Sequence, residues 1–449
     1  MTRYAVVGAG IAGLAAAWEL ARRDPAAEIT VFEPGRVGGK LQTSPFAGRL
    51  VDEGADAFLA RVPWGRALCD ELGLGEELVS PADGSAYVAA GSQLHRLPGG
   101  LVLGVPTDVE ALRGSSLLSA DAVERVAAEP ALAGTPLAPD EDLSVGALIR
   151  ARFGDEVLER LVDPLIGGIN AGDSDRLSVR ASVAQIADAA SRSASLVEGL
   201  RLAAPAPPGP VFWAHPRGMG AIVDRLSTAL GDAGVHFEHA AVDSLGDIEA
   251  AGVVIATPAG AAAGLVSPGG GGAHDAARLL RAIGHSSPVI VTIAMRRDDV
   301  RHPLDASGFL VPRSEGRLLT ACSFATTKWQ QLATDADTIV LRASAGRYGD
   351  DRAIGMDDDA LERAVLGDLD ALIGLGGAAT ELRISRWADG FPQYEPGHLV
   401  RVAAIEADIA SSLPNVRLAG ATYRGIGVPA CIRSGREAAT ALLLTATGG

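Results

Sequence analysis

The sequence is poor in cysteine, and the cysteines it has are scattered. Cys69, Cys322 and Cys431 are widely spaced, form no C-x-x-C pair and make no metal-type spacing with the eight histidines. We therefore expect no metal site. Free, mostly buried thiols are typical of a reducing cytoplasm, which is the expected location.

The sequence also has few positive charges and no long apolar runs. The 39 Lys and Arg residues stand against 55 Asp and Glu residues, for a formal net charge of −16, so the surface would repel nucleic-acid phosphates. No window approaches the roughly 18 uninterrupted apolar residues of a spanning helix, and no basic segment precedes an apolar one as in a signal peptide. A chain of 449 residues instead suggests two or three domains.

The strongest motif lies at the start of the chain. The apolar residues 4–7 predict a strand buried on both faces, and the glycine-rich residues 8–13 follow it. Next come a helix rich in Ala and Leu and a second strand that ends at Glu33. This is the order of a dinucleotide-binding βαβ unit. A strand and helix that contain three glycines by chance would not place the acid at this spacing.

Each residue type in this unit has a physical task. Gly8 permits a tight turn, Gly10 lets the backbone approach a pyrophosphate, and Gly13 lets the helix pack closely on the strand. Helix N–H groups and the positive end of the helix dipole would hold the phosphates. Glu33, 20 residues beyond Gly13, can accept hydrogen bonds from ribose hydroxyls and would repel a 2′-phosphate. FAD or NAD is therefore favoured over NADP.

Three later turns could contact the same ligand. Residues 35–41 combine glycines with Arg36 and Lys40 and suit phosphates, although a solvated surface turn would look similar. Residues 54–57 are small enough for a flat ring to lie near the backbone, but a simple hairpin end would be too. Residues 425–429 form a glycine turn before a helix predicted from about residue 430, and they offer N–H groups to an electron-rich ring edge.

The order of elements predicts an α/β protein with a discontinuous, Rossmann-like nucleotide-binding domain, a mixed-sheet substrate domain and an inserted helical lobe. The nucleotide-binding domain is predicted at 1–48, 212–284 and 415–449, the substrate domain at 49–97 and 285–414, and the lobe at 98–211. Core packing is the expected use of the lobe's apolar faces; a membrane-contacting patch is the alternative.

Several segments together resemble one family, the flavoprotein oxidases of porphyrinogens within the amine-oxidase superfamily. Residues 8–13 and Glu33 are shared by many flavoproteins. More specific to this family are residues 38–43, 54–59, 97–100, 163–173, 387–394 and 419–432. The resemblance covers nearly the whole chain. It departs at Asn170, where the family often has an aromatic residue, and at Ala55 and Ala57, which replace a frequent Pro and Ser.

The resemblance implies a function. The family uses non-covalent FAD, whose N5 takes the hydride, so no protein residue is expected to be catalytic. The expected reaction is the oxidation of coproporphyrinogen III to coproporphyrin III in haem biosynthesis, with O2 as acceptor and hydrogen peroxide as product. Protoporphyrinogen IX is the alternative substrate. Another oxidase of the superfamily, or a flavin-free binding protein of the GDP-dissociation-inhibitor type, is a further alternative.

The resemblance also implies the site residues. FAD would be held by Gly8, Ala9, Gly10, Ile11, Ala12, Gly13, Glu33, Pro34, Gly39, Lys40, Gly54, Ala55, Asp56, Ala57, Val242, Trp387, Ile426, Gly427 and Val428. The tetrapyrrole would lie between the mixed sheet and the helical lobe, near Ile169 and Asn170. Arg61 is a candidate partner for a propionate, with an exposed structural arginine as the alternative.

Overall fold

The strands build a parallel sheet, a larger mixed sheet and several short ribbons. The structure is a computed structural model, and it describes residues 1–132, 134–202 and 209–446. The strands are β1 Arg3–Val7, β2 Glu28–Phe32, β3 Thr43–Phe46, β4 Arg49–Asp52, β5 Phe58–Leu59, β6 Tyr87–Ala90, β7 Gln93–Arg96, β8 Leu101–Val102, β9 Val105–Pro106, β10 Phe212–Trp213, β11 His236–Glu238, β12 Gly252–Ile255, β13 His285–Ser286, β14 Val289–Arg296, β15 Gly308–Leu310, β16 Leu319–Phe324, β17 Thr338–Ala345, β18 Glu381–Arg386, β19 Phe391–Pro392 and β20 Val416–Leu418.

Helices flank both sheets and form a separate lobe. They are α1 Ile11–Arg23, α2 Pro63–Glu71, α3 Val109–Arg113, α4 Ala120–Leu132, α5 Val145–Phe153, α6 Asp155–Val157, α7 Asp163–Asn170, α8 Val179–Ser182, α9 Ala184–Arg192, α10 Leu196–Arg201, α11 Gly220–Asp232, α12 Ala259–Val266, α13 Gly271–Arg281, α14 Ala325–Lys328, α15 Arg352–Gly355, α16 Asp358–Ile373, α17 His398–Ser412 and α18 Val428–Ala446. Within the described ranges, no helix is both long and apolar enough to cross a bilayer.

The parallel sheet has the strand order β11-β2-β1-β12-β20. Tyr4 and Val6 pack in a core with α1, α11 and α18, while Ala5 and Val7 pack in a second core with α12, α13 and α17. Because both faces are covered, β1 is almost wholly apolar, as predicted. Strands from distant parts of the chain meet in this sheet, so the α/β fold class is confirmed.

The mixed sheet has the order β18-β14-β17-β16-β15-β6-β7. Its pairs are antiparallel except for β15 and β6, which run parallel. Helix α16 packs against this sheet in a common core through Leu361, Val365 and Leu369. The Asp357 side chain caps that helix by accepting the Ala360 N–H at 2.8 Å. The prediction of a mixed sheet is therefore confirmed.

The helical lobe contains α3 to α10 and has its own hydrophobic core. Glu129 is buried there and accepts hydrogen bonds from the Ser195 hydroxyl at 2.6 Å and the Leu196 N–H at 2.7 Å, which satisfies the start of α10. Helix α6 continues through a π-helical stretch, Leu158–Val162, into α7. The apolar faces of the lobe's helices are used mainly for its own packing.

Candidate dinucleotide and substrate site

Turns at one edge of the parallel sheet line a large cavity. Strands β1, β2, β12 and β20 all end at this edge, because parallel strands place their carboxyl ends together. The cavity measures about 790 Å³ and is also lined by the mixed sheet, through Ile290, Thr320 and Ser344, and by α7, through Gly167 and Gly168. A single space therefore connects the predicted nucleotide turn with the second sheet.

The first glycine turn follows β1 and has little room for side chains. Gly8 has a φ of +100°, and its N–H donates to the Phe32 carbonyl at 2.8 Å. A Cβ added to Gly13 would lie 1.9 Å from the Gly8 carbonyl oxygen. Gly10 differs, because no described atom lies within 4 Å of the position its Cβ would take. Gly8 and Gly13 thus shape the turn, while Gly10 leaves space open on the cavity side.

Glu33 joins the first glycine turn to the second. Its carboxylate accepts the Ala9 N–H at 3.0 Å and the Gly35 N–H at 3.0 Å, and it lines the cavity. Gly39 fits against the first turn, since its Cβ would lie 3.2 Å from the Gly10 Cα. Glu33, which is predicted to bind ribose, therefore also holds the backbone of both glycine turns.

Lys40 and Cys431 bring the two ends of the chain together in the cavity wall. Burial lowers the pKa of Lys40, and the neighbouring Cys431 thiol opposes that shift. Burial raises the pKa of Cys431 to about 11, so the thiol stays protonated and is a poor nucleophile. A buried, protonated thiol of this kind fits a packing role for Cys431 and the expected non-covalent FAD.

The turn near the C-terminus is held by Tyr394. Its hydroxyl donates to the Ala421 carbonyl and accepts the Gly425 N–H at 2.9 Å. The Tyr394 ring stacks on His398 with centroids 4.0 Å apart. Burial lowers the pKa of His398 to about 4, so this partner is neutral. Helix α18 begins at Val428, slightly earlier than the predicted start near residue 430. The turn is thus fixed where Ile426 and Val428 line the cavity.

The turn at residues 54–57 is anchored from behind by a charged cluster. Asp56 accepts hydrogen bonds from Lys328 Nζ at 2.9 Å and Trp329 Nε1 at 3.1 Å, and it pairs with Arg342 at 3.2 Å. Arg342 also donates to the Gly54 carbonyl. Burial alone would raise the pKa of Asp56, but Lys328 and Arg342 outweigh it and hold that pKa well below its usual range.

Asp52, close to this cluster, behaves in the opposite way. Burial raises the pKa of Asp52 to about 6, against the hydrogen bonds from Thr43 and Met219 and the charge of Arg342. In the unfolded chain Asp52 ionises near its ordinary pKa, so between about pH 4 and 6 its protonated form is favoured only in the folded state. The contribution of Asp52 to the free energy of unfolding is therefore fully present below about pH 4 and is lost as the pH rises through about 6.

Asp52→Asn should therefore stabilise the protein at neutral pH. Both hydrogen bonds to Asp52 reach Oδ1, at 2.5 Å from Thr43 Oγ1 and 2.8 Å from the Met219 N–H, and an amide oxygen can keep them. We expect a gain of up to about 2 kcal/mol above pH 6 that vanishes below about pH 4. Urea unfolding of both proteins between pH 4 and 8 measures it. A gain that shrinks as the pH rises would contradict the assignment.

Most of the residues proposed for FAD meet in the cavity wall. Those that line it are Gly8, Gly10, Ile11, Ala12, Glu33, Pro34, Gly39, Lys40, Gly54, Ala55, Val242, Trp387, Ile426 and Val428. Ala9, Gly13, Asp56, Ala57 and Gly427 stand beside these residues without lining the cavity themselves. Ala9 and Gly13 shape the first turn, and Asp56 points into the charged cluster.

The three residues proposed for the substrate lie outside the cavity wall. Arg61 is exposed, and its guanidinium donates to Gln185 at 3.2 Å. Ile169 is 53% exposed. The buried Asn170 amide donates to the Ile166 carbonyl within α7 at 2.8 Å. Gly168 and Ala171, which flank Ile169 and Asn170, do line the cavity, so this segment reaches it through its small residues.

Other residues reach the cavity that the sequence motifs did not indicate. His285, Ser344 and Arg347 are examples. His285 is placed there because β13 pairs with β19, with His285 opposite Pro392. Burial lowers the pKa of His285, and Lys40 adds to the shift while Asp389 opposes it. These residues belong to no local pattern, so only long-range strand pairing could reveal them.

Fold and site together define a dinucleotide-binding oxidoreductase with a second sheet over the carboxyl edge of its nucleotide-binding sheet. The chain belongs to the family of flavin-containing amine oxidoreductases, whose model matches residues 11–443. It is therefore an FAD-dependent oxidoreductase. In the part of the chain that the structure describes, no group of His, Cys, Asp and Glu is arranged to hold a metal ion.

Curated relatives match over nearly their full length. Coproporphyrinogen III oxidase of Bacillus subtilis (strain 168) is 30% identical, with 96% of each chain covered. Coproporphyrinogen III oxidase of Mycobacterium tuberculosis (strain ATCC 25618 / H37Rv) is 34% identical, covering 98% of this chain and 97% of the relative. A crystal structure from Exiguobacterium sp. 255-15, named "Putative protoporphyrinogen oxidase", is 30% identical with a TM-score of 0.88 over 99% of both chains.

Proposed function

We propose that the protein oxidises coproporphyrinogen III to coproporphyrin III with FAD and O2, and that hydrogen peroxide is released. The observation that carries this is the single cavity that joins the glycine turns to the mixed sheet and α7. It is lined largely by glycine and apolar side chains, which suits an apolar macrocycle. The bacterial relatives named coproporphyrinogen III oxidase support this substrate.

The residues present fit FAD. Gly10 leaves room for a pyrophosphate at the start of α1, and Glu33 offers its carboxylate to ribose hydroxyls from the end of β2. Lys40 places a cationic side chain in the wall beside the second turn. The start of α18 supplies the positive end of a helix dipole to the cavity. The proposed FAD contacts are the cavity-lining residues of these turns together with their immediate neighbours.

The protein's own contribution is orientation and exclusion of water. When bound, FAD would accept a hydride from the substrate in repeated two-electron rounds and pass the electrons to O2. The mixed sheet and α7 would hold the macrocycle against the cavity wall formed by residues 54, 55, 426 and 428. The buried, protonated Cys431 offers no competing nucleophile. No side chain is assigned a covalent step.

One assay tests the proposal. Purified holoprotein is given coproporphyrinogen III, protoporphyrinogen IX or a primary amine, and both peroxide release and porphyrin fluorescence are followed. Preferred turnover of coproporphyrinogen III with stoichiometric peroxide is expected. Preference for protoporphyrinogen IX would establish the alternative substrate, and turnover of the amine alone would establish another oxidase of the superfamily. Porphyrin formation without peroxide would mean that O2 is not the acceptor.

Glu33→Ala should weaken FAD binding. The variant loses the charged acceptor for ribose and also the support of the Ala9 and Gly35 N–H groups. We expect a loss of about 1.5–3 kcal/mol in binding free energy. FAD titration of the apoprotein, followed by flavin fluorescence, measures it. Glu28→Ala is the matched control, because Glu28 is exposed at the opposite end of the same strand. Equal affinities in the two variants would refute the role of Glu33.

A further inference from the structure

Arg347 is a buried arginine in the cavity wall. It follows Gly346 just beyond the end of β17, is only 7% exposed and lines the cavity. The next residue, Tyr348, donates its N–H to the Ala171 carbonyl at 2.8 Å, just beyond α7. Arg347 is thus placed where the mixed sheet meets the helical lobe. The first glycine turn, by contrast, follows a strand of the parallel sheet.

The guanidinium of Arg347 has no partner among the described residues, either by hydrogen bond or by ion pair. Two nearby carboxylates form no ion pair with it. Asp350 is taken by Arg352, with contacts of 2.8 Å from both Nε and Nη2, and Asp163 accepts the Ser174 N–H at 3.4 Å. Arg313 adds a second positive charge nearby and donates to the Gly172 and Tyr348 carbonyls.

A buried cation in this situation requires an anion. Burial lowers the pKa of Arg347, and the charge of Arg313 adds to the shift, while the carboxylates of Asp163 and Asp350 oppose it; the arginine stays protonated at neutral pH. An unpaired buried charge is costly, and removing water from it makes any partner bind more strongly. The planar guanidinium suits two parallel hydrogen bonds to a carboxylate.

We propose that Arg347 binds a carboxylate side chain of the tetrapyrrole substrate. This inference rests on the proposed function. FAD phosphates are the less suitable partner, because the glycine turns and Lys40 that suit phosphates are built around the parallel sheet. Arg347 instead shares its part of the wall with Ser344, Gly346 and Ala171. It takes the role that the sequence suggested for the exposed Arg61.

The test compares wild-type holoenzyme with Arg347→Met and Arg347→Lys. Arg301→Met is the matched control, since it removes the same charge from a side chain that is 77% exposed. Arg347→Met should raise the KM for coproporphyrinogen III, and the Kd for coproporphyrin III, roughly 10- to 100-fold with FAD content unchanged. Arg347→Lys should recover part of the loss. The tetramethyl ester of coproporphyrin III, which carries no carboxylate, should bind wild type and Arg347→Met equally.

Each outcome separates the residue's role from the proposed function. An active wild-type enzyme with unchanged KM and Kd in folded Arg347→Met would overturn the role of Arg347 alone. Loss of FAD from both Arg347 variants would show that the guanidinium holds the cofactor, and it would overturn the inference too. A wild-type enzyme inert towards every porphyrinogen would overturn the proposed function and this inference with it. Thermal unfolding of all four proteins verifies that they are folded.

Discussion

Gly10→Ala should keep its fold and lose its cofactor. Gly10 has φ −69° and ψ 171°, which any residue can adopt, and its Cβ would meet no described atom within 4 Å. The expected cost in unfolding free energy of the apoprotein is therefore about 1 kcal/mol or less, mainly from a poorer helix cap. The same methyl group would project into the space proposed for the pyrophosphate. FAD affinity should fall by roughly 100-fold or more, because the phosphates could no longer approach the backbone.

Gly13→Ala provides the contrast. Its Cβ would lie 1.9 Å from the Gly8 carbonyl oxygen and 3.2 Å from the Ala256 Cβ, so the turn or α1 must shift. We expect a loss of about 3 kcal/mol or more in the apoprotein, in addition to the loss of FAD. Urea unfolding of the apoproteins and FAD titration together distinguish the two variants. Equal destabilisation by both substitutions would contradict the steric difference between the two glycines. Normal FAD affinity in Gly10→Ala would show that the pyrophosphate does not pass this turn.

Asp56→Asn should be strongly destabilising. The substitution leaves Lys328 and Arg342 without their shared counter-charge in a site where Arg342 is 7% exposed. Removing one partner of such a buried cluster costs about 3 kcal/mol, because the remaining charges stay buried and uncompensated. The loss should appear as a lower urea midpoint at neutral pH. FAD affinity should also fall, since Arg342 and Asp56 together fix the turn at residues 54–57.

Asp358→Asn is the control for Asp56→Asn. Asp358 also pairs with an arginine, Arg386, but its side chain is 71% exposed. Solvent screens such a pair, so the expected loss is about 1 kcal/mol or less. If both variants lost the same stability, the cluster around Asp56 would be no more than a surface ion pair.

Glu129 shows why some structural roles cannot be inferred from local patterns. Glutamate side chains are usually exposed, and nothing near Glu129 in the sequence sets it apart. In the structure it is 1% exposed and holds the start of α10, which lies more than 60 residues further along the chain. The cost of burying the Glu129 carboxylate is offset by hydrogen bonds from Ser195 and from the first N–H groups of α10. No local sequence pattern connects that helix to Glu129.

The sequence by itself determined the dinucleotide turn, the acid after β2 and the alternation of strands and helices. These features depend on neighbours within about 30 residues, where backbone conformation and helix periodicity leave few alternatives. Tertiary structure alone decided which side chains face the cavity. Arg61 and Arg347 each follow a small residue, yet Arg61 is exposed on the lobe side and Arg347 is buried beyond β17. Strand pairing and the docking of α7 set that difference, and both depend on contacts between residues far apart in the chain.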